Sequence, residues 1–99
     1  MVNVTDGYYS PQYYSILNKY NISSGVIVHT VEDKSPADKA GLKSGDIIIK
    51  INDDEIKSIG YLRYYLYNYN VGDKITVTYI REGDTKTTTV TLGSNKQVY

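Results

Sequence analysis

Residues 35–53 read SPADKAGLKSGDIIIKIND, and this stretch decides the fold. Ser35 is a good helix N-cap and Pro36 suits the first helical position, so a helix of one or two turns is predicted up to Ala40. Gly41 then stands where a helix end needs a left-handed residue. The first half of the stretch therefore predicts a short helix with a signal at each end.

The second half predicts a turn and a buried strand. Gly45 and Asp46 form the turn, and residues 47–51 (IIIKI) are almost wholly apolar and β-branched. We expect both Gly41 and Gly45 to adopt backbone angles that a β-carbon penalises. Gly41, Gly45 and Asp46 are accordingly assigned structural roles rather than roles in binding.

The remaining chain alternates strand and helix patterns. Helical spacing of apolar residues and Ser N-caps predict two longer helices, and runs of β-formers bounded by Gly or Asp turns predict the strands. The helices cover residues 11–19 and 59–69, and the other strands cover 2–4, 26–31, 75–80 and 85–92. The pattern predicts a small α+β domain with a mostly antiparallel, barrel- or sandwich-like sheet of about five strands and two to three helices.

The composition excludes several classes of protein. Ninety-nine residues make one domain. Eleven basic residues balance eleven acidic ones, which argues against a nucleic-acid partner and against a polybasic membrane anchor. Cysteine is absent, so disulfides and thiolate chemistry are excluded. The chain has no membrane-spanning run of about eighteen apolar residues and no charged-then-apolar start, so neither a span nor a signal peptide is expected in it.

Catalytic and metal-binding patterns are weak. His29 is the single histidine, and an ordinary strand position explains it better than a catalytic or metal role. The acidic run at residues 53–55 lacks the alternating spacing of a calcium loop and is better explained as a solvated turn. No nucleophile elbow accompanies any serine. We therefore expect no enzyme activity in this chain, no cofactor and no metal.

Residues 35–53 strongly resemble the core of bacterial PDZ domains, and the turns at residues 71–73 and 81–84 fit the same family. The Ser-Pro-led helix within residues 10–22, just before residues 25–28 (GVIV), looks like that of HtrA/DegP-type serine proteases, most closely the HtrA proteins of Gram-positive bacteria. The resemblance implies a permuted PDZ domain whose last strand replaces the first strand of animal PDZ domains.

The resemblance also implies the domain bounds. Residues 1–93 form the PDZ domain, and within them residues 1–25 hold a short strand and the HtrA-type helical insert. Residues 94–99 are expected to be a disordered tail. HtrA PDZ domains carry a Tyr-Leu-Gly-Ile-like loop that receives a ligand's carboxylate, and Met1 corresponds to a position after it. A cut between the protease and PDZ domains is the expected reason, with a natural stand-alone domain as the alternative.

PDZ domains bind an extended peptide as an extra strand at a sheet edge, beside a helix. By resemblance the strand wall is Met1, Val2, Asn3 and Val4, and the helix wall is Ile59, Arg63 and Leu66. Several of these positions also have an ordinary interpretation. Leu66 and Ile59 could be core residues, Arg63 could be a solvated charge, and one face of the strand must pack inward.

The sequence is consistent with three functions. The leading one is a peptide-binding module of an HtrA-like serine protease, which binds apolar C-termini of peptides or unfolded proteins and works with its own protease domain. The alternative is a subunit-contact domain that self-associates through the groove edge. A PDZ domain of another bacterial protease, such as a carboxy-terminal processing peptidase, is a third interpretation. The parent protein is expected outside the cytoplasm, at the cell surface through a membrane anchor.

Overall fold

A computed structural model describes residues 1–93. It contains strands and helices in a mixed order, which are numbered separately along the chain. The elements are β1 (Val2–Asn3), α1 (Val4–Gly7), α2 (Pro11–Lys19), β2 (Val26–Ile27), α3 (Pro36–Lys39), β3 (Ile47–Ile51), β4 (Asp54–Glu55), α4 (Ile59–Leu66), β5 (Lys74–Arg81) and β6 (Asp84–Thr91). The tail predicted at residues 94–99 lies outside the described residues.

The strands form one open antiparallel sheet. Its order is β1-β2-β3-β5-β6, and β4 pairs with β3 beside this path. The α+β prediction is confirmed, although the sheet does not close into a barrel. Within residues 1–93 there are six strands and four helices, more than predicted. The sequence did not predict α1 and β4, because they are too short to leave a periodic signal.

Three predicted boundaries are wrong. The first strand ends at Asn3, because Val4 already begins α1. The strand predicted over residues 26–31 pairs only at Val26–Ile27. Beyond it, the Val28 amide donates to the Asp46 carbonyl at 2.8 Å, so bonding continues to a turn rather than to a strand. The helix predicted over residues 59–69 ends at Leu66.

The core has two parts, one on each side of the sheet. Successive residues of a strand point to opposite faces, so Val26 and Ile48 face one part while Ile27 and Ile47 face the other. The larger cluster packs under α3 and α4, and the smaller cluster packs under α2. The smaller cluster consists of Val4, Tyr13, Leu17, Ile22, Ile27 and Ile47.

A buried ion pair joins three parts of the fold. Asp46, which is 2% exposed, accepts hydrogen bonds from the Nε and Nη2 atoms of Arg81 at 2.8 and 2.7 Å. Arg81 Nη2 also donates to the Gly41 carbonyl at 2.9 Å, and the Lys43 amide donates to Asp46 at 2.8 Å. The hydrogen bonds with Asp46 raise the pKa of the Arg81 guanidinium. The pair thus fastens the end of β5 to the turn between α3 and β3.

Five glycines within residues 1–93 have positive φ, and three of them show what can restrict such a position. Gly41 and Gly45 have φ of +87° and +94°, the left-handed geometry that the sequence predicts, and an added β-carbon would meet nothing within 4 Å at either. Gly25 has φ of +130°, and a β-carbon there would lie 2.9 Å from the Ile48 carbonyl oxygen. At Gly41 and Gly45 only the positive φ disfavours a residue with a β-carbon. At Gly25 both the positive φ and the contact with the Ile48 carbonyl oxygen disfavour it.

We expect alanine substitutions to separate these two effects. Gly41→Ala should lower the free energy of unfolding by about 1 kcal/mol, the cost of a left-handed residue with a β-carbon. Gly25→Ala should cost more, because its β-carbon also meets the Ile48 backbone. Gly60→Ala in α4 is the control and should be neutral or stabilising. Urea unfolding measures all three, and equal losses at positions 25 and 41 would contradict the steric argument.

Replacing Arg81, the partner of Asp46, should lower the free energy of unfolding by more than Gly41→Ala does. Arg81→Met leaves a buried carboxylate unpaired and should lower the free energy of unfolding by about 3 kcal/mol. Arg81→Lys keeps a charge but not the planar fork that reaches both Asp46 and Gly41, so we expect an intermediate loss. Thermal and urea unfolding provide the measurement. A wild-type stability of Arg81→Met would show that the ion pair is unimportant.

Candidate functional site

The outer edge of β1 is the first feature of the site. β1 is one of the two terminal strands of the described sheet, β6 being the other. On its inner side β1 pairs with β2, Val2 opposite Ile27 and Asn3 opposite Val26. Among residues 1–93 no strand pairs with its other side. A strand edge of this kind presents backbone N–H and C=O groups to an added strand.

The side chains near β1 alternate between the two core parts. Met1 packs against the larger cluster, and Asn3 hydrogen-bonds to the first residue of α4, so these two face α4. Val2 packs against the smaller cluster, and Val4 is fully buried within it. Of the four predicted strand-wall residues, the structure therefore brings Met1 and Asn3 to the α4 side. Val2 and Val4 hold the opposite side, under α2.

The predicted helix-wall residues have three different environments on α4. Leu66 is buried in the larger cluster, as is Leu62. Ile59 is half-buried at the start of the helix, and its amide bonds to Asn3. Arg63 is exposed. Leu66 is thus a core residue and Arg63 an exposed charge, and the role of each in a groove stays a prediction.

A pocket of about 400 Å³ opens beside α4, and tyrosines form most of its wall. It is lined by Ser58, Gly60, Tyr61, Tyr64 and Tyr65. The rings of Tyr64 and Tyr65 meet edge to face, with centroids 5.3 Å apart. Tyr61 and Tyr64 are exposed, and Tyr65 packs partly on the larger cluster. Tyrosine rings can contact an apolar side chain of a ligand while their hydroxyl groups remain hydrogen-bonded to water.

The sequence contained a signal for this pocket. Five tyrosines fall between residues 61 and 69, and their helical spacing turns Tyr61, Tyr64 and Tyr67 outward. The structure confirms that all three are exposed. From the sequence alone, this spacing is consistent with an aromatic binding stripe and also with the abundance of tyrosine throughout the chain. Spacing alone does not reveal that Ser58 and Gly60 line the same pocket as the tyrosines.

Hydrogen bonds join the two walls of the site. Asn3 Oδ1 accepts a bond of 2.6 Å from the Ile59 amide. Next to it, the Gly25 amide donates to the Lys57 carbonyl at 3.2 Å, and the Val4 amide donates to the Gly25 carbonyl at 3.0 Å. The segment that leads into α4 is thus bonded to both β1 and the start of β2. We call the space between β1 and α4 the β1–α4 groove.

His29 lies away from this groove. It is exposed, and its Nδ1 atom lies 2.6 Å from the hydroxyl of Tyr13, a buried residue of α2. Burial raises the pKa of that hydroxyl. The contact holds α2 to the chain after β2. Within residues 1–93, no three histidine, cysteine, aspartate or glutamate side chains cluster as a metal site would require.

The helices of the described chain are all too short or too polar to cross a membrane.

Comparison with known proteins identifies relatives of this chain. It is 39% identical over 75 residues to the serine protease Do-like HtrA of Lactococcus lactis and 44% identical over 72 residues to the serine protease Do-like HtrB of Bacillus subtilis. A probable periplasmic serine endoprotease DegP-like from a Marinomonas species is 40% identical over 70 residues. These alignments cover 76%, 72% and 71% of this chain, but only 18%, 16% and 15% of the relatives.

Solved structures share the fold. The PDZ domain of an SdrC-like protein from Listeria monocytogenes aligns with a TM-score of 0.65 and 28% identity, covering 71% of this chain and 73% of that one. The HtrA3 PDZ domain bound to the phage-derived ligand FGRWV aligns with a TM-score of 0.67 and 24% identity, covering 82% and 74%.

The prediction of an HtrA/DegP-type PDZ domain is confirmed by these relatives. The sequence profile of the PDZ domain matches residues 2–92, which is nearly the whole described chain. The chain belongs to the PDZ domain family, and within that family it is similar to the PDZ domains of HtrA/DegP-like serine proteases.

Proposed function

We propose that this domain binds extended peptides by adding them as a strand to the outer edge of β1, beside α4. The observation that carries the proposal is the position of β1 as a terminal strand of the described sheet that is joined to the start of α4, which the other terminal strand, β6, is not shown to be. Main-chain hydrogen bonds to the edge would supply affinity for any extended peptide. Side chains of the groove would then select among peptides.

The lining of the groove favours apolar ligand residues. Met1 and Ile59 are half-buried and pack against the larger cluster, so each presents part of its apolar surface. The tyrosine pocket on the same helix is lined by α4 and its N-cap residue alone, and we propose that it extends the binding surface for aromatic or apolar residues. Between the two walls, the polar side chain of Asn3 accepts the bond from the Ile59 amide. An apolar side chain of a ligand would gain free energy by leaving water here.

The relatives support a role within a larger protease. Because the chain spans less than a fifth of their length, the activity of a parent protein is itself part of the proposal. We propose an HtrA-like, trypsin-type serine endopeptidase outside the cytoplasm, held at the cell surface by a membrane anchor. The PDZ domain would bind apolar C-terminal tails of misfolded or partner proteins, either to present them to the protease domain or to regulate it.

The same edge supports a second function. A free strand edge can pair with a copy of itself as readily as with a peptide. In that case the domain would assemble the parent oligomer through β1. The two functions differ in their dependence on protein concentration, so sedimentation velocity over a range of concentrations separates them. The three relatives described above are of the HtrA/DegP type, which favours that parent over a carboxy-terminal processing peptidase.

Peptide titration tests the leading function. The probe is the peptide FGRWV, the ligand held by the HtrA3 PDZ domain, titrated into the isotope-labelled domain and followed by NMR. We expect shifts of the amides of β1 and α4. Tyr64→Ala should weaken binding roughly tenfold, because aromatic side chains in a pocket carry much of the energy of an interface.

The matched control is Tyr9→Ala, since Tyr9 is 90% exposed and does not line the pocket. It should bind like the wild type. Methylating alternate backbone nitrogens of the peptide should abolish binding at one set of positions and not at the other, as strand pairing requires. Peptide shifts that map to the α2 side of the sheet, or an equal effect of both tyrosine substitutions, would refute the proposed site.

A further inference from the structure

We propose that Asn3 is a positioning residue that sets the spacing between β1 and α4 at one end of the β1–α4 groove, and that it thereby limits how far a peptide strand can extend. The inference rests on the proposed function, since it concerns the reach of a peptide in that groove. Its physical basis is one side-chain hydrogen bond, from the Ile59 amide to Asn3 Oδ1, between residues 56 positions apart.

The start of α4 depends on this bond. The first amides of a helix have no partner within the helix, and a Ser at the N-cap usually provides one. Ser58 holds the N-cap position here, but its side chain makes no capping bond. Asn3 takes over part of this role from the neighbouring strand, at 2.6 Å. The Ile59 amide therefore keeps its hydrogen-bond partner only while β1 and the start of α4 are close enough for the Asn3 side chain to reach it.

Two further bonds near the ends of α4 do not involve a side chain that spans the groove. The Lys57 carbonyl, just before the helix, accepts from Gly25 at the start of β2. Beyond the last turn of the helix, Asn52 Nδ2 donates to the Tyr69 hydroxyl at 2.8 Å, which connects that end to the turn after β3. Asn3 is thus the residue whose side chain spans the groove itself, and it does so at the end nearest the start of α4.

This position has a consequence for a ligand. A peptide whose C-terminus lies toward the start of β1 runs antiparallel to that strand, so its upstream residues approach Asn3. There the side chain of Asn3 crosses the space between strand and helix. Peptide residues that extend past Asn3 must either leave the groove or break the hydrogen bond between Asn3 and the Ile59 amide. The bond therefore acts as a stop that favours short terminal segments over long extended ones.

Two variants and two peptides test the stop. The peptides are FGRWV and the same sequence with TVTI added at its amino end. The wild type should bind both with affinities within about twofold, because the added residues find no groove. Asn3→Ala should bind the longer peptide at least about fivefold more tightly than the shorter one, the gain of a single net backbone hydrogen bond. Asn3→Asp keeps an acceptor for the Ile59 amide and should restore the wild-type ratio.

A ligand-free measurement accompanies the titrations. Hydrogen exchange of the Ile59 amide, followed by NMR, should be about tenfold faster in Asn3→Ala than in the wild type and in Asn3→Asp. Unchanged exchange in Asn3→Ala would overturn the proposal, and so would an equal loss of affinity for both peptides, which would show a merely structural role. If no variant binds either peptide, the proposed function and the stop both fail, whereas the exchange rate still shows whether Asn3 holds α4.

Discussion

The ion pair between the buried carboxylate of Asp46 and Arg81 joins separate parts of the fold. A charge with 2% exposure is tolerated only when its hydrogen-bonding capacity is filled. Arg81 fills most of it and also binds the carbonyl of Gly41, so the end of β5, the end of α3 and the start of β3 meet at one point. β3 leads from this point into the sheet, where β2 and β5 pair with its two sides and β1 and β6 lie at the two ends.

Much of this arrangement could be predicted from the sequence. The stretch at residues 35–53 combines a cap, a left-handed glycine and a β-branched strand, and each of these signals is local. Local signals predict the elements well because they depend on neighbouring residues only. The extent of pairing is different, since it depends on distant partners. Val28 to Val31 have the composition of a strand, yet Val28 bonds to the turn at Asp46 instead.

The site was harder to predict for the same reason. The resemblance to PDZ domains placed the groove between the first strand and the helix at Ile59, but it could not assign side chains to its two sides. Alternation along β1 turns Val2 and Val4 toward α2, and helical rotation turns Arg63 away from the pocket that Tyr64 lines. The bond from Ile59 to Asn3 joins residues 56 apart and leaves no trace in any local pattern.

The alternation along β1 also ties β1 and α4 to different parts of the core. Val2 and Val4 pack among the side chains under α2, in a cluster to which α4 contributes no residue. α4 contacts the larger cluster through one face only, with its tyrosines exposed on the other. β1 and α4 therefore pack on separate clusters and are connected at their near end by the bond between Asn3 and the Ile59 amide. A substitution in the cluster under α2 would thus disturb β1 without removing any contact of α4 with the core.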